Sequence, residues 1–381
     1  MPGIYLDHAA TSFPKAPGVS ERMRYYLDEV SANMGRASYA PATDVLETAL
    51  AARESLCRLF GFREPSHVIF TPGQTYSLNL VLRGLLKNGN HVLVSSLEHN
   101  AVMRPLTQLQ ALGIGFDRVP CMADGGFDLT AFEDGFVPNT RLVCVTHASN
   151  VSGALLPLGE IAKVCKRRGV PLLVDAAQTA GHLPISVADF GEFALAVPGH
   201  KGLLGPSGIG ALLLSPALAK RIEPLVTGGT GSASSSEEQP AFMPDRFEAG
   251  TLNLPGIYGL GAALAFVEAR GPAAMGMEEM ALAERFLCGL DRLSGVRTLP
   301  AGSKRVGVIS CCFPGHDLAE ITRRLESEHG ILARCGLHCA PAAHKALGSF
   351  PGGSLRFSFG YGNTASEVDA ALGALEAVLK H

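Results

Sequence analysis

The chain has 381 residues, of which 47% are hydrophobic and 18% are charged, and its formal net charge is −3. This length and composition support a large hydrophobic core, and the charge balance lacks the basic excess of a nucleic-acid-binding protein. No apolar run reaches the roughly 18 residues of a membrane span, and the start "MPGIYLDHAATSFP" lacks the pattern of a secretory signal. Nine cysteines, an odd number in largely apolar surroundings, fit a reducing compartment, so we expect a cytoplasmic protein that binds neither nucleic acid nor membranes.

Short apolar runs alternate with helical patterns along the first half of the chain. A helix is predicted over residues 43–61, where Gly61 ends it. Six runs then predict strands, namely "HVIF" (67–70), "HVLVSS" (91–96), "RLVCVTH" (141–147), "PLLVDA" (171–176), "FALAV" (193–197) and "GALLLS" (210–215). Strands that are apolar on both faces and separated by helices form a mostly parallel sheet covered on each side, so we predict an α/β fold.

The composition changes in the second half of the chain. A polar segment, "GGTGSASSSEEQP" (228–240), is expected to be a mobile loop, and helical sequence is predicted after "FEAGTLNLPGIYGL" (247–260) to about residue 293. We predict a large domain over residues 15–259 and a smaller α/β domain over residues 260–381, which residues 1–14 join.

Two helices of the predicted small domain carry capping signals. The run "VGVISCCF" predicts a strand, and the helix after it begins with a capping box formed by Asp317 and Glu320. The last helix, "TASEVDAALGALEAVLK", is predicted to be capped by Thr364 and Glu367.

Polar side chains follow five of the predicted strands at their carboxyl ends, the edge at which open α/β sheets bind ligands. After "HVIF", the turn Thr71-Pro72-Gly73-Gln74-Thr75 opens a helix, whose free backbone N–H groups suit a phosphate. The other strand ends carry, in order, Glu98-His99-Asn100, His147 with Ser149-Asn150, Asp175 with Gln178, and His200-Lys201. An anion cradle, a flat imidazole, an amide, a carboxylate and a lysine together describe a site for pyridoxal phosphate.

Seven segments in one order carry a family resemblance. They are "YLDHAATSFPK", "LEHNA", "THASNVSGA", "VDAAQTAGH", "GHKGLLGPSGIG", "FEAGTLN" and "RCGLHCAPAAHKALG". Through them the chain resembles, nearly end to end, the cysteine desulfurase and selenocysteine lyase branch of the class V aminotransferases, pyridoxal-phosphate enzymes of fold type I. The resemblance implies a seven-stranded, mostly parallel sheet in the large domain, and a reaction that releases sulfur or selenium from cysteine or selenocysteine to give alanine.

The resemblance implies roles for the residues around the cofactor ring. Lys201 would form the Schiff base and later move protons at the substrate α-carbon, and His99 would stack on the ring and act as an acid or base. Asp175 would pair with the pyridinium nitrogen, and Gln178 would donate to the phenolic oxygen. Asn150 would touch the ring or the substrate.

The resemblance also implies a phosphate site and a homodimer. The Gln74–Thr75 turn and His200 would bind the cofactor phosphate. Gly250 and Thr251 match residues that reach the phosphate of the neighbouring subunit, so the expected active unit is a homodimer.

A thiol and two arginines complete the implied substrate site. Arg356 would clamp the substrate carboxylate with its bidentate fork, and Arg334 is a second candidate for the substrate. Cys339 would attack the sulfur or selenium as a thiolate, which His338 and Arg334 would favour. Cys335 has no assigned role, and a sulfur-acceptor protein is a further expected partner.

Other interpretations remain open at this stage. The chain departs from relatives at Pro198, where many carry a hydroxyl, and at Gly35, where some carry histidine. A family member acting by transamination, racemisation or β-elimination is the first alternative, and a catalytically silent binding relative is the second. His147, His182 and His344 are expected to be structural, and no CxxC or HxxxH set predicts a metal site.

Overall fold

The structure is a computed structural model that describes residues 3–34 and 39–380, so that Gly35 lies outside the described residues. The strands are β1 (Ile4–Tyr5), β2 (Val68–Thr71), β3 (His91–Ser95), β4 (Gly115–Val119), β5 (Thr140–Thr146), β6 (Leu172–Asp175), β7 (Phe193–Pro198), β8 (Gly210–Leu214), β9 (Arg297–Thr298), β10 (Val308–Cys312), β11 (Ile331–Leu332), β12 (Arg334–Gly336) and β13 (Ser354–Ser358). The α-helices are α1 (Val19–Tyr25), α2 (Ala40–Phe60), α3 (Gln74–Leu85), α4 (Asn100–Gln110), α5 (Leu129–Asp134), α6 (Leu158–Arg168), α7 (Pro216–Ala219), α8 (Leu254–Arg270), α9 (Pro272–Leu290), α10 (Leu318–His329), α11 (Pro341–Ala346) and α12 (Ala365–Leu379). A π-helical turn (Tyr26–Val30) and a 3₁₀ turn (Pro65–His67) complete the helical elements of the described residues.

A seven-stranded sheet in the order β2-β8-β7-β6-β5-β3-β4 organises the larger part of the molecule. All neighbouring strands are parallel except that β8 is antiparallel to β2 and to β7. The predicted α/β fold with its mostly parallel sheet is confirmed. All six strands predicted from apolar runs are present, whereas β4 was missed because this edge strand leaves most of its side chains exposed and carries no apolar run.

Helices cover both faces of this sheet, as the doubly apolar strands require. One core cluster packs α2, α6 and α8 against one face, and a second cluster packs α3 and α4 against the other. Helix α2 begins three residues before the predicted start. It ends as predicted at Gly61, whose φ of 61° is the left-handed conformation that glycine adopts most readily at a helix C-terminus.

A second sheet, in the order β12-β13-β10-β9, lies with α10 and α12 around its own hydrophobic core. The N-terminal segment joins this unit because β1 pairs in parallel with β11. Helix α8 spans residue 260, and it packs against α1 and α2. The division of the chain at residue 260 therefore stays a prediction.

One of the two predicted capping boxes is present. Thr364 accepts from the backbone N–H of Glu367, whose carboxylate accepts in return from the N–H of Thr364, which confirms the box of α12. The predicted box of α10 is wrong: Asp317 caps the helix by accepting from Ala319, but Glu320 pairs with Arg323 at 2.6 Å instead.

Within the described residues, no helix combines the length and apolarity needed to cross a membrane. The same residues contain no cluster of three or more histidine, cysteine or acidic side chains suited to a metal ion.

Candidate active site

A cavity of about 600 Å³ opens at the carboxyl ends of the parallel strands, where side chains from the large sheet meet those of β12, β13 and the N-terminal segment. All predicted site residues except Gly250 and Thr251 line it, namely Gln74, Thr75, His99, Asn150, Asp175, Gln178, His200, Lys201, Arg334, Cys339 and Arg356. With His338, which also lines the cavity, the fold gathers one lysine, one acid, three imidazoles, two arginines and a thiol around a single space.

Lys201 lies in the tight turn that follows β7. The turn passes so close to neighbouring chain that a Cβ on Gly202 would collide with the ring of His182 and the carbonyl of Ala180, so only glycine fits beside the lysine. Burial lowers the pKa of Lys201 to about 8, although the charge of Asp175 opposes that shift. The uncharged fraction of the amine near neutral pH is therefore much larger than that of an ordinary lysine, and the uncharged form is the one that attacks a carbonyl carbon.

Asp175 ends β6 as a buried carboxylate with two donors. Its Oδ1 accepts from the side chain of Gln74 at 2.7 Å and from the backbone N–H of Ala177 at 2.9 Å. Burial raises the pKa of Asp175, and these hydrogen bonds together with the charge of Lys201 oppose that shift. The side chain of Gln74 is thus engaged by Asp175 and by the carbonyl of Ala196, and it is not free to bind a phosphate.

The start of α3 offers backbone donors to the cavity instead. The backbone N–H groups of Gln74 and Thr75 have no acceptor among the described residues, and they lie in the first turn of a 12-residue helix. The ring of His200 lines the same space, and burial followed by the charge of Lys201 lowers its pKa to about 4. Pro198, which has no hydroxyl to add, is buried at the end of β7.

His99 is the N-cap of α4, and this local role fixes its ring. Nδ1 accepts from the backbone N–H of Ala101 at 3.0 Å, so a neutral ring carries its proton on Nε2. Burial is the main cause that lowers the pKa of His99 to about 4, with Lys201 second. The structure therefore presents a neutral, oriented imidazole to the cavity.

Glu98, the residue before His99, is fully buried, and its burial was not predicted from the sequence. One oxygen of its carboxyl, Oε1, accepts from Ser95 Oγ at 2.5 Å and from the backbone N–H of Thr146 at 2.8 Å, whereas Oε2 has no partner. Burial raises the pKa of Glu98 to about 8. The carboxyl of Glu98 thus links the ends of β3 and β5.

Two amide side chains are already tied to the backbone around the cavity. Asn150 donates to the carbonyl of His338 at 2.8 Å, and Gln178 uses one N–H to bind the carbonyl of Ala9 at 3.0 Å. These contacts fasten the N-terminal segment and the loop of Cys339 to the large sheet.

Arg356 is buried in β13 and is neutralised by a residue that the sequence analysis did not select. Its Nη2 donates to Asp7 at 2.6 Å and its Nη1 to the carbonyl of Asn150 at 3.0 Å, while Nε has no partner. Arg334 lies opposite Arg356 on the paired strand β12 and is more exposed. The feature of the sequence that points to Asp7 is its position within the "YLDHAA" segment.

Cys339 is the thiol that the fold brings to the cavity. It is exposed, lies in a left-handed backbone conformation with φ of 55°, and is held by a hydrogen bond from the N–H of Asn100 to its carbonyl at 2.7 Å. Cys335 lies on β12 next to Arg334, so strand alternation turns it to the opposite face, where it packs against the small hydrophobic core.

The expectation that His338 favours a thiolate is wrong. His338 is buried, its Nε2 contacts Ser354, and burial lowers its pKa to about 2. A neutral imidazole supplies no positive charge, so stabilisation of an anionic sulfur falls to the guanidinium of Arg334, which lines the same cavity.

Gly250 and Thr251 lie away from this space within one chain. They line a separate cavity of about 720 Å³ that Asn33, Leu46 and Arg53 also line. Contact of these two residues with a cofactor therefore requires a second copy of the chain, and their role stays a prediction.

The three histidines predicted to be structural have partners of their own. His147 contacts Thr179 at 3.0 Å, His182 contacts Glu279 at 2.5 Å, and His344 contacts Ser349 at 2.7 Å.

Comparison with known proteins gives consistent matches along nearly the whole chain. The sequence profile described as aminotransferase class-V matches residues 4–371. A probable cysteine desulfurase of Methanothermobacter thermautotrophicus is 32% identical over 381 residues, which cover 98% of this chain and 94% of that protein.

Two solved structures extend the similarity to the fold. The apo cysteine desulfurase from Thermococcus onnurineus NA1 has a TM-score of 0.92 at 31% identity, covering 99% of this chain and 95% of that one. The cysteine desulfurase CsdA from Escherichia coli, in its S-sulfonic acid form, has a TM-score of 0.88 at 29% identity, with the same coverage of 99% and 95%.

Proposed function

Because the chain belongs to the class-V aminotransferase family, we propose that it is a cysteine desulfurase and selenocysteine lyase. Its cofactor is pyridoxal 5'-phosphate, as in the rest of the family. In this proposal the enzyme removes sulfur from L-cysteine or selenium from L-selenocysteine and leaves L-alanine. The observation that carries the proposal is the exposed thiol of Cys339, which lines the same cavity as Lys201 and Asp175.

The residues present fit this cofactor. The free backbone N–H groups at the start of α3 and the ring of His200 suit a phosphate, and the buried carboxyl of Asp175 suits a pyridinium nitrogen. The flat, neutral ring of His99 suits stacking, and Gln178 keeps one side-chain N–H for the phenolic oxygen. When bound, the cofactor supplies an electron sink for the bonds at the substrate α-carbon.

Lys201 and Asp175 supply the amine and the carboxyl that this chemistry needs. The lowered pKa of Lys201 provides the free amine that attaches the cofactor and afterwards takes or returns a proton at the substrate α-carbon. Gln74 and Ala177 hold the carboxyl of Asp175 at one fixed point of the cavity, and these hydrogen bonds, with the charge of Lys201, oppose the rise in its pKa that burial causes.

Arg356 and Arg334 account for amino-acid recognition. Arg356 has a buried Nε–H with no protein partner, and Asp7 holds the guanidinium in place by its bond to Nη2. Together with Arg334 on the paired strand, it offers a carboxylate the planar donors that arginine presents.

Cys339 is the nucleophile in the proposed reaction. Its thiolate forms a bond to the sulfur of the substrate, the bond between that sulfur and the substrate β-carbon breaks, and the β-carbon keeps the electron pair and takes a proton. The products are a persulfide on Cys339 and alanine. The carbon–selenium bond is weaker than the carbon–sulfur bond, so selenocysteine depends less on the attack of the thiolate. The β-carbon again keeps the electron pair and takes a proton, and selenium leaves at the elemental level, which the added reductant converts to selenide.

The proposed active unit is a homodimer, and a sulfur-acceptor protein is its proposed partner. Gly250 and Thr251 line a cavity of their own, beside the exposed apolar side chains of Leu46 and Leu50 on α2. A second copy seated on this face would cover those side chains and bring Thr251 to the cofactor phosphate of its partner. Sedimentation of the purified protein as a stable dimer is the expected result.

The test of the function is turnover of both amino acids by the purified enzyme and by two thiol variants. Wild type should form alanine together with sulfide or selenide, measured under reducing conditions. Cys339→Ala should lose sulfur release from cysteine while still binding the substrate, and the matched variant Cys335→Ala should keep it, because Cys335 faces the small hydrophobic core.

Other results would contradict the proposal in distinct ways. Full sulfur release by Cys339→Ala would show that Cys339 is not the nucleophile. Conversion of another amino acid by transamination, racemisation or β-elimination, without need for either thiol, would favour a different enzyme of the family. An absence of cofactor absorbance in the purified protein would favour a silent binding relative.

A further inference from the structure

Lys15, in the N-terminal segment, has an unusual set of partners for a half-buried lysine. Its Nζ donates to Thr11 Oγ1 at 3.1 Å, to Ser12 Oγ at 3.1 Å and to the carbonyl oxygen of His200 at 2.9 Å. These three bonds use all three ammonium hydrogens, and no carboxylate within the described residues pairs with the charge. Burial lowers the pKa of Lys15 to about 8, so the site holds a cation at a cost that no ion pair offsets.

The bonds of Lys15 converge on the peptide that precedes Lys201. The carbonyl of His200 also accepts from the backbone N–H of Ser12 at 3.0 Å. The hydroxyls of Thr11, at 3.0 Å, and Ser12, at 3.1 Å, lie within hydrogen-bond distance of the same oxygen, so four donors of the N-terminal segment surround its two lone pairs. The N-terminal segment is thereby fastened to the turn that carries His200 and Lys201.

Thr11 also connects the N-terminal segment to the ring of His200. Thr11 Oγ1 lies 3.1 Å from His200 Nδ1 and already accepts from Lys15. The hydroxyl of Thr11 therefore contacts both the carbonyl oxygen and the ring of His200, and Lys15 holds that hydroxyl in place. Nε2 has no partner among the described residues, and the ring lines the cavity, so this nitrogen is available to a ligand there.

We propose that Lys15 is a positioning residue for the cofactor phosphate, because it holds Thr11 and the carbonyl of His200 and so fixes the ring of His200 where its Nε2 meets that group. This inference rests on the proposed function, since it takes the anion in the cavity to be the phosphate of pyridoxal phosphate. Lys15 itself does not line the cavity, so it acts through Thr11 and His200 and not by direct contact.

The test compares two ligands that differ only in the phosphate. Apoenzyme is titrated with pyridoxal phosphate and with pyridoxal, and binding at Lys201 is followed by visible absorbance, independently of turnover. Lys15→Met should bind pyridoxal phosphate about tenfold more weakly than wild type, the loss typical of one weakened hydrogen bond to a charged group, and should bind pyridoxal as wild type does. Lys15→Arg should restore most of the difference, because it keeps the charge and several donors.

Two further variants keep the result interpretable. Thr11→Val removes the hydroxyl while Lys15 remains, and it should also weaken the binding of pyridoxal phosphate relative to that of pyridoxal. This variant tests the proposal even if Lys15→Met does not fold. Lys163→Met removes an exposed lysine of α6 and should change neither affinity.

The outcomes separate the two proposals. If wild type gives no absorbance with pyridoxal phosphate, or if Lys201→Ala gives the same absorbance as wild type, the proposed function fails. If wild type binds both ligands through Lys201 but Lys15→Met and Thr11→Val weaken both equally, or neither, the role of Lys15 toward the phosphate is wrong.

Discussion

Glu98 offers a prediction whose size follows from the structure. Its carboxyl is buried between the ends of β3 and β5 with a pKa of about 8, whereas an unfolded glutamate titrates near 4.5. Between these two values the folded state holds a proton that the unfolded state has released, so stability falls as pH rises through this window and levels off above pH 8. Glu98→Gln removes the titration but keeps an oxygen that accepts from Ser95 and Thr146.

The expected effect is a difference in how steeply the free energy of unfolding changes with pH. Each pH unit inside the window costs the wild type about 1.4 kcal/mol relative to Glu98→Gln, so the two proteins should diverge by about 2 kcal/mol between pH 6 and pH 7.5. For a chain of 381 residues, with an unfolding entropy of about 2.1 cal/mol/K per residue, this corresponds to a relative shift in Tm of about 2–3 °C.

The assay is thermal unfolding of wild type and Glu98→Gln holoenzyme at several pH values from 6 to 8. The matched control is Glu326→Gln, which alters an exposed carboxyl of α10 that forms no ion pair within the described residues. The control should follow the wild-type curve. If the curves of wild type and Glu98→Gln stay parallel over this range, the carboxyl is ionised in the folded protein and the reasoning is refuted.

Two further predictions concern the cofactor. Borohydride reduction followed by peptide mapping should place the label on Lys201, whose lowered pKa supplies the free amine, and a label on Lys15 or Lys345 would overturn that assignment. Asp175→Asn should fold and bind the cofactor but lose most turnover, measured as kcat with cysteine, because an amide supplies no negative charge to the pyridine nitrogen. A variant that turns over at the wild-type rate would contradict that role for Asp175.

The local sequence was sufficient to predict those elements whose burial produces a recognisable pattern in consecutive residues. Strands buried on both faces appear as apolar runs, which is why β2 and β5 were found and the exposed edge strand β4 was not. Capping shows the limit of this reasoning. The spacing of Thr364 and Glu367 correctly predicts a capping box, whereas Glu320, at the same spacing from Asp317, pairs with an arginine one turn along its helix.

The sequence by itself also determined which chemistry the protein carries, because the strand-end residues and the order of the motifs point to a cofactor site at one edge of the sheet. Only the tertiary structure decided the charge states and partners within that site. Asp7 and Arg356 are 349 positions apart, and neither residue alone indicates that they pair. The state of Glu98 and the partners of Lys15 depend in the same way on what surrounds them. Burial and long-range contact set a pKa and a hydrogen-bond partner, and both quantities exist only once distant parts of the chain have packed together.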